Sequence, residues 1–236
     1  MTEDSPIAVP DLIHETGFAI LAGAKTLDLL GRVTETELES FAASWNDLAL
    51  DTYMADGGRY RRRRHAVFAV SGSSIERQPD QPHYQSTDYN QLNGGIERWF
   101  APVTEAIAHS PILQALFTAC RHSFPLNEAQ RYRAELHQFR IEATADSAGS
   151  PTPEGMHRDG VDWVCVLLVR RTNLAEGTTS IARPDGTPLG SFTLTQPFDA
   201  VFLNDHRVMH GVTAVHPLDP SHPGYRDVLV LTFRAE

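Results

Sequence analysis

Two histidines and one aspartate carry the clearest chemical signal in this sequence of 236 residues. His157 and Asp159 are separated by one residue and stand just before an apolar run with the composition of a β-strand. Because alternate residues of an extended chain point to the same face, this imidazole and this carboxylate can lie side by side. His210 stands between two further predicted strands and is the best candidate for a third ligand. Two histidines and one carboxylate leave three positions of a metal open, as in non-haem Fe(II) oxygenases.

Arg226 is the most informative basic residue, because it opens the last predicted strand, 16 residues after His210. By the period of two, Arg226 and Thr232 share one face of that strand with the valines between them. A guanidinium on the inner face of a barrel needs an anionic partner, since an unpaired buried charge is costly. A carboxylate bound in fork geometry meets that need.

Helices and strands must hold these residues in place. Thr34 and Glu37 have the spacing of a capping box before an amphipathic stretch, which predicts a helix. Ser110-Pro111 places a cap residue before a proline and predicts a second helix. From residue 131 onward, alternating or β-branched segments between turn signals predict strands. These segments are residues 131–143, 161–169, 180–182, 191–195, 200–203, 211–215 and 227–233.

Strands at this spacing, with no long helix between them, predict a fold that is α+β and mainly β. The expected architecture is a double-stranded β-helix (jelly roll, cupin-like) with helices packed on one face. We expect one domain, residues 1–236, made of a helix-rich N-terminal part (1–130) and a jelly-roll core (131–236) that carries the metal site.

The amino-acid composition limits the classes of partner that the protein is expected to bind and the compartment in which it is expected. Twenty basic residues against 30 acidic ones give a formal charge of −10, which argues against nucleic-acid or membrane-surface binding. Cys120 and Cys165 form no disulfide or zinc pattern and fit a reducing compartment. No secretory signal is visible, and the longest apolar run is far shorter than the ~20 residues that span a bilayer. We therefore expect a cytoplasmic protein that binds neither nucleic acid nor membrane, while no pattern indicates its oligomeric state.

The segments around the candidate residues resemble a known family. HRDG (157–160), VLLVRRTN (166–173), FLNDHRVMHGVTAV (202–215) and YRDVLVLTFR (225–234) are similar to the bacterial 2-oxoglutarate/Fe(II) dioxygenases of the free-amino-acid hydroxylase type, such as L-isoleucine dioxygenase. Two upstream segments, QSTDYNQLNGGIERWFAP and RYRAELHQFRIEA, are similar as well. The resemblance therefore covers most of the chain beyond about Arg59.

The resemblance implies a role for each candidate residue. His157, Asp159 and His210 match the metal ligands, Arg226 matches the arginine that holds the distal carboxylate of 2-oxoglutarate, and Thr232 would assist it. The implied cofactors are Fe(II), 2-oxoglutarate as co-substrate, and O₂. The implied reaction is hydroxylation of a small molecule, a free L-amino acid, with release of succinate and CO₂. No catalytic residue beyond the metal ligands is implied, and no substrate-binding residue is assigned.

The sequence departs from the family pattern at two places. The loop after Asn173 reads Glu176-Gly177-Thr178, where the family usually has Gly-Gly-Glu. Arg226 is followed by Asp227-Val228, in contrast to the Arg-x-Ser of many plant-type relatives. These departures bear on the loop near the site and on the second contact to the co-substrate.

Two other functions remain open at this point. A cupin-like hydrolase or isomerase could use the same three ligands with Zn²⁺ and a bound water. A non-catalytic stress-related protein could retain the site without using it. The hydrolase has no need of Arg226, so an Arg226→Ala variant with full activity would favour the hydrolase.

The remaining polar residues near the predicted strands are given simpler interpretations. The four arginines of residues 61–64 split two per strand face, and one pair could reach the pocket. Gln138 and Arg140 share a face and are weaker candidates for a substrate carboxylate, whereas His137 is interpreted as structural. His206 is interpreted as a loop residue, and His83 as a surface or packing residue.

Overall fold

The structure is a computed structural model, and it describes residues 8–236. Within that range the helices are α1 (Val9–Thr16), α2 (Gly23–Leu30), α3 (Glu35–Ala43), α4 (Glu105–Ala108) and α5 (Pro111–Ser123), with a 3₁₀ turn at Ser44–Asp47. The strands are β1 (Phe18–Leu21), β2 (Ala49–Leu50), β3 (Arg61–Ser71), β4 (Ser74–Arg77), β5 (Arg131–Ala143), β6 (Trp163–Thr172), β7 (Leu174–Glu176), β8 (Thr179–Ala182), β9 (Pro188–Phe192), β10 (Ala200–Asn204), β11 (Met209–Val212), β12 (Val215–Pro217) and β13 (Gly224–Ala235). None of the helices in this part of the chain is long and apolar enough to cross a membrane.

The strands form one large antiparallel sheet and two small ones. The large sheet has the order β1-β10-β6-β13-β5-β3-β2, with β4 paired to β3. The small sheets are β11-β8-β9 and β12-β7. Ile181 of β8 packs with Val164 and Val201 of the large sheet in one buried cluster, so the two layers face each other. This arrangement confirms the predicted jelly roll.

The helices cover the other face of the large sheet. Leu113 and Phe117 of α5 are fully buried against Leu136 of β5 and against Leu229 and Leu231 of β13. Because side chains alternate across a strand, the other set of residues on β13 is left to face the small sheet. The predicted packing of helices on one face is therefore confirmed, and the site lies on the opposite face.

Local signals in the sequence explain where the two predicted helices begin. The Thr34 hydroxyl accepts a hydrogen bond from the Glu37 backbone, and the Glu37 carboxylate accepts one from the Thr34 N–H, which completes the capping box. The Ser110 hydroxyl accepts from the Leu113 N–H at the start of α5, with Pro111 in the first turn. Each cap satisfies a backbone donor that has no partner within the helix.

Each predicted strand overlaps an observed one, with bounds that differ by up to three residues, whereas β7 was not predicted. Residues 211–215 are divided between β11 and β12, and β9 begins and ends three residues before the predicted segment 191–195. Strands β1 to β4 precede Arg131 yet pair within the large sheet, so the predicted helix-rich part and the predicted core share one sheet.

Asp227 on β13 is the anchor of a buried ion-pair group beside Arg226. Its carboxylate accepts from Arg140 Nε at 2.7 Å and from Arg170 Nε at 3.0 Å, and its side chain is fully buried. Asp227→Ala would leave two arginines without their anion, so we expect the free energy of unfolding to fall by about 3–5 kcal/mol. Denaturant titration measures this loss. Asp219→Ala, in an exposed turn, is the control, and an equal loss in both variants would contradict the prediction.

Candidate functional site

His157, Asp159 and His210 meet in a cavity of about 270 Å³ between the large sheet and the sheet that contains β11. One ligand atom from each side chain lies within 4.8 Å of the others. His157 Nε2 is 3.8 Å from one Asp159 oxygen, and His210 Nε2 is 3.7 Å from the other. The predicted spacing has therefore brought together three side chains that could hold one divalent metal ion.

The backbone fixes the two histidines as a pair. The N–H of each residue donates to the carbonyl of the other at 2.9 Å, and the two rings are 4.5 Å apart. His157 Nδ1 donates to the Gly155 carbonyl at 3.0 Å, so Nε2 is the nitrogen with a free lone pair. A hydrogen bond of this kind fixes the tautomer and the ring orientation of a metal-binding histidine.

Burial and charge set the protonation of the three side chains. Burial, followed by the charge of His157, lowers the pKa of His210 to about 3, so that its ring is neutral. For His157, burial opposes the charged form, but Asp159 and then Glu154 outweigh it and raise the pKa. Burial also raises the pKa of Asp159. A half-buried carboxylate and an imidazole that both have raised pKa values, beside a neutral imidazole, form a donor set that a bound cation would satisfy.

Asp205 holds the loop that carries Asp159, a role that the sequence analysis missed. Its carboxylate accepts from the backbone N–H groups of Asp159, Gly160 and Val161 at 2.9, 2.8 and 3.1 Å. Asp205 is 2% exposed, so these are charge-assisted hydrogen bonds away from water. No spacing in the sequence marks this contact, because 46 residues separate the carboxylate from the Asp159 N–H.

Asp205→Asn should weaken Fe(II) binding about 10- to 100-fold, because outer residues that orient ligands typically have effects of that size. The asparagine amide replaces one acceptor oxygen by an NH₂ group, so that a donor would face the backbone N–H groups that Asp205 now accepts from. Metal titration measures the affinity. Asp199→Asn is a matched control, since Asp199 also accepts from three backbone N–H groups, none of which belongs to a candidate metal ligand. Equal losses of affinity in the two variants would contradict a specific role for Asp205.

Arg226 lines the same cavity and is 4% exposed. Its Nε and Nη1 atoms are buried and have no hydrogen-bond partner among the described residues. Burial, and then the charge of Arg171, lower the pKa of Arg226 to about 10, which leaves it charged at neutral pH. A buried charged fork with free N–H groups is suited to a carboxylate ligand, as the strand pattern predicted.

Gly177, in the loop that departs from the family pattern, lies against this arginine. A Cβ at Gly177 would be 2.8 Å from Val215 Cγ1 and 3.7 Å from Arg226 Nη1. The residue also has a φ of +74°, which favours glycine. The loop Glu176-Gly177-Thr178 is therefore part of the wall beside Arg226.

The expected help from Thr232 does not fit the geometry of β13. Arg226 and Thr232 do line one cavity, as their shared face predicts. Six positions of extended strand separate their Cα atoms by roughly 20 Å, however. That span exceeds the reach of the two side chains with one carboxylate between them. Thr232 therefore lies elsewhere along the cavity and is not a second contact for the distal carboxylate.

Two further predictions from the sequence concern which strand residues face the cavity, and the structure agrees with one of them. Arg61 and Arg63 line the cavity, so one arginine pair of residues 61–64 does reach it. Gln138 and Arg140 do not: they face the helix side, where Gln138 donates to Ser44 Oγ and Arg140 pairs with Asp227. The alternation of β5 was visible in the sequence, but which set of residues faces the cavity depends on packing.

His83 and His137, interpreted as packing or structural residues, line the cavity instead. His137 is buried and His83 is half-buried, and they form a group with His65 and Glu135 whose possible ligand atoms also lie within 4.8 Å of one another. His65 Nε2 and His83 Nδ1 are 2.9 and 2.7 Å from the same oxygen of Glu135.

This histidine–glutamate group fits hydrogen bonding better than metal binding. Arg63 Nη2 lies 2.7 Å from His137 Nδ1. A guanidinium only donates, so His137 Nδ1 accepts and the proton of the neutral ring is on Nε2, which removes that lone pair from a metal. His206 is outside both groups, in an exposed turn, where its Nε2 is 2.7 Å from Asp162.

Comparisons with known sequences identify the family of this chain. Residues 42–232 match the family model for 2OG-Fe dioxygenase. The chain is 26% identical over 203 residues to 3(1)-hydroxy-L-isoleucine 4-dioxygenase of Pantoea ananatis, and the match covers 84% of this chain and 81% of that protein. It is 25% identical over 156 residues to L-isoleucine-4-hydroxylase of Bacillus thuringiensis, which covers 64% of each.

Solved structures are similar over nearly the whole chain. A bsmA homologue from Methylobium petroleophilum PM1 has a TM-score of 0.85 and 35% identity, and the match covers 98% of this chain and 94% of that one. IDO from Bacillus thuringiensis has a TM-score of 0.79 at 19% identity, with 97% and 100% covered, and is similar in fold. The family match and the fold together identify the activity: the chain belongs to the 2OG-Fe dioxygenase family and is an Fe(II)- and 2-oxoglutarate-dependent dioxygenase.

Proposed function

We propose that this dioxygenase hydroxylates a free L-amino acid, with His157, Asp159 and His210 as the iron ligands and Arg226 as the partner of 2-oxoglutarate. One observation carries the assignment of the site. The three potential ligands, within 4.8 Å of one another, share a cavity with a buried arginine whose Nε and Nη1 atoms have no hydrogen-bond partner among residues 8–236. The names of the Pantoea and Bacillus relatives specify isoleucine or hydroxyisoleucine, which supports an amino acid as the substrate.

Iron held by these three residues would supply the oxidative chemistry, in which O₂ is used to convert 2-oxoglutarate to succinate and CO₂ and to hydroxylate a C–H bond. The chain contributes ligands and their orientation. The Gly155 carbonyl keeps His157 Nε2 free for the metal, and Asp205 keeps Asp159 in place. Holding three ligands on one side leaves positions for the co-substrate and O₂.

Arg226 would orient the co-substrate through its guanidinium fork. Two hydrogen bonds from a buried arginine define both the position and the plane of a carboxylate. Val228 and Val230 follow Arg226 on the cavity face of β13, and Val166 lies across from them on β6. These apolar side chains limit the water around the reacting groups, which strengthens the electrostatic interactions there.

The test is a turnover assay on the iron-loaded protein with 2-oxoglutarate and a panel of free L-amino acids that begins with L-isoleucine. Succinate is measured together with the mass of each amino acid. We expect at least one amino acid to gain the mass of one oxygen atom, with one succinate formed for each product. Succinate formation that no amino acid stimulates would contradict the proposed substrate class but not the dioxygenase activity.

A further inference from the structure

A second group of charged side chains lines the cavity in addition to the ligands and Arg226. It contains Arg63, Arg98 and Glu154. Taking the proposed amino-acid substrate as given, we propose that Arg98 and Arg63 bind its α-carboxylate and that Glu154 binds its α-ammonium group. The cavity would thereby recognise both charged ends of a free amino acid.

Arg98 is a buried cation without an anion of its own. It is 2% exposed, and its Nε and Nη2 atoms have no hydrogen-bond partner among residues 8–236. Its backbone exchanges two hydrogen bonds of 3.0 Å with His83, which fixes the segment that carries it. Burial and the charge of Arg61 lower the pKa of Arg98, while Asp51 and Glu154 act in the opposite direction. Such a guanidinium is stabilised by an anion that enters the cavity.

The guanidinium of Arg63 lies beside the same cavity, and its contacts with two aromatic rings fix the orientation of its plane. The group lies 3.7 Å from the ring centroid of Phe100 and 4.4 Å from that of Phe139. Stacking on these rings restricts the side chain, and Nη2 donates to His137 Nδ1 at 2.7 Å. Nε of Arg63 is buried and has no partner among the described residues.

The carboxylates near the arginines are already committed to other groups. Asp51 accepts from Arg61 at 2.8 Å and lies 3.6 Å from Arg63, so one anion is shared by two cations. Glu135 is held by two histidines and by Arg133. The arginines thus carry more positive charge than these acids balance, and a substrate carboxylate would supply the missing negative charge.

In contrast to Arg98, Glu154 is a largely buried anion that lacks a full set of hydrogen-bond donors among the described residues. Its side chain is 10% exposed, and its Oε2 atom is buried with no hydrogen-bond partner within the described chain. Its Oε1 atom is 3.7 Å from His157 Nε2, so the carboxylate lies beside the candidate metal site. An ammonium group donates up to three hydrogen bonds and would satisfy the free oxygen.

Two opposite charges in one cavity would select free amino acids over their derivatives. An N-acetylated amino acid lacks the ammonium group, and an amino acid amide lacks the carboxylate. Either one would leave a buried charged group of the protein without its partner, which is more costly than losing an ordinary hydrogen bond. Residues within a peptide lack both charges and would be excluded for the same reason.

The experiment uses the iron-loaded protein and the free amino acid from the panel that gives the most product. Its KM is measured for the wild type, Arg98→Gln, Arg98→Lys and Glu154→Gln, and its Kd is measured by calorimetry without oxygen in the presence of Fe(II) and 2-oxoglutarate. Arg234→Gln and Glu97→Gln are the controls, because both residues are exposed and outside the proposed contacts. Melting curves establish that each variant is folded.

We expect Arg98→Gln and Glu154→Gln to raise the KM and Kd for the amino acid about 10- to 100-fold, with the KM for 2-oxoglutarate changed by less than about threefold. Arg98→Lys should recover part of the loss. The wild type should discriminate at least about 100-fold against the N-acetyl and amide forms, and Glu154→Gln should reduce the discrimination against the N-acetyl form.

Three results would overturn the inference. The first is turnover of a free amino acid with unchanged KM and Kd in both glutamine variants, and the second is equal use of the derivatives by the wild type. Either one leaves the proposed function intact. The third is the absence of any binding or turnover across the panel, which would overturn the proposed substrate class together with the inference. If Arg98→Gln does not fold, the inference is still tested by the KM and Kd of Arg98→Lys and by the comparison of the free amino acid with its N-acetyl and amide forms.

Discussion

Asp159→Ala is expected to abolish stable Fe(II) binding and to lower turnover at least about 1000-fold, because it removes the only carboxylate among the three proposed ligands. The two histidines that remain would form a neutral, incomplete set in a partly apolar cavity. Iron content after dialysis gives the first readout and succinate formation the second. Both should fall together, since the reaction depends on the metal.

Asp162→Ala is the matched control for this prediction. Asp162 lies three positions further along the chain, but its carboxylate accepts from the Ala235 N–H and contacts His206. We expect its iron content to equal that of the wild type. Full iron content in Asp159→Ala, or an equal loss in both variants, would contradict the proposed ligand set.

Arg226→Ala is expected to raise the KM for 2-oxoglutarate about 100-fold, with little change in iron content. The variant removes a buried, charged fork, and truncating one partner of such a pair typically costs 2–5 kcal/mol or more, of which ~2.7 kcal/mol is a factor of about 100. Initial rates at varied 2-oxoglutarate measure the effect. Metal titration of the same preparation shows whether the two sites act independently.

Arg226→Lys separates charge from geometry at this position. A lysine keeps the positive charge but presents a single ammonium in place of the planar fork, so its KM should lie between those of the wild type and Arg226→Ala. Arg234→Gln, another arginine that lines the cavity but is exposed, should leave the KM for 2-oxoglutarate unchanged. A normal KM in Arg226→Ala would assign the co-substrate carboxylate to another arginine.

The candidate site was predictable where it depends on short-range patterns. His157 and Asp159 share a face because an extended chain has a period of two. Arg226 was recognisable because a charged residue opened an otherwise apolar strand. The same local rules explain the helix that begins at Thr34, where the hydroxyl and the carboxylate of Glu37 are three residues apart.

The remaining parts of the site depend on contacts between distant segments. Asp205 and Arg98 belong to no motif, and their roles come from backbone or cavity contacts that form only in the folded chain. On β5 the alternation was clear, yet packing of the helices decides that Gln138 is covered and that Glu135 and His137 face the cavity. A pattern of period two defines two faces but not which of them is buried against which layer.

The most direct test of the proposed site is a crystal structure grown without oxygen with Fe(II) and 2-oxoglutarate, in which anomalous scattering locates the iron. The proposed site predicts one iron about 2 Å from His157 Nε2, His210 Nε2 and an Asp159 oxygen. It also predicts the distal carboxylate of 2-oxoglutarate on the fork of Arg226. Iron bound by the histidine–glutamate group (His65, His83, Glu135 and His137), or a co-substrate carboxylate away from Arg226, would contradict it.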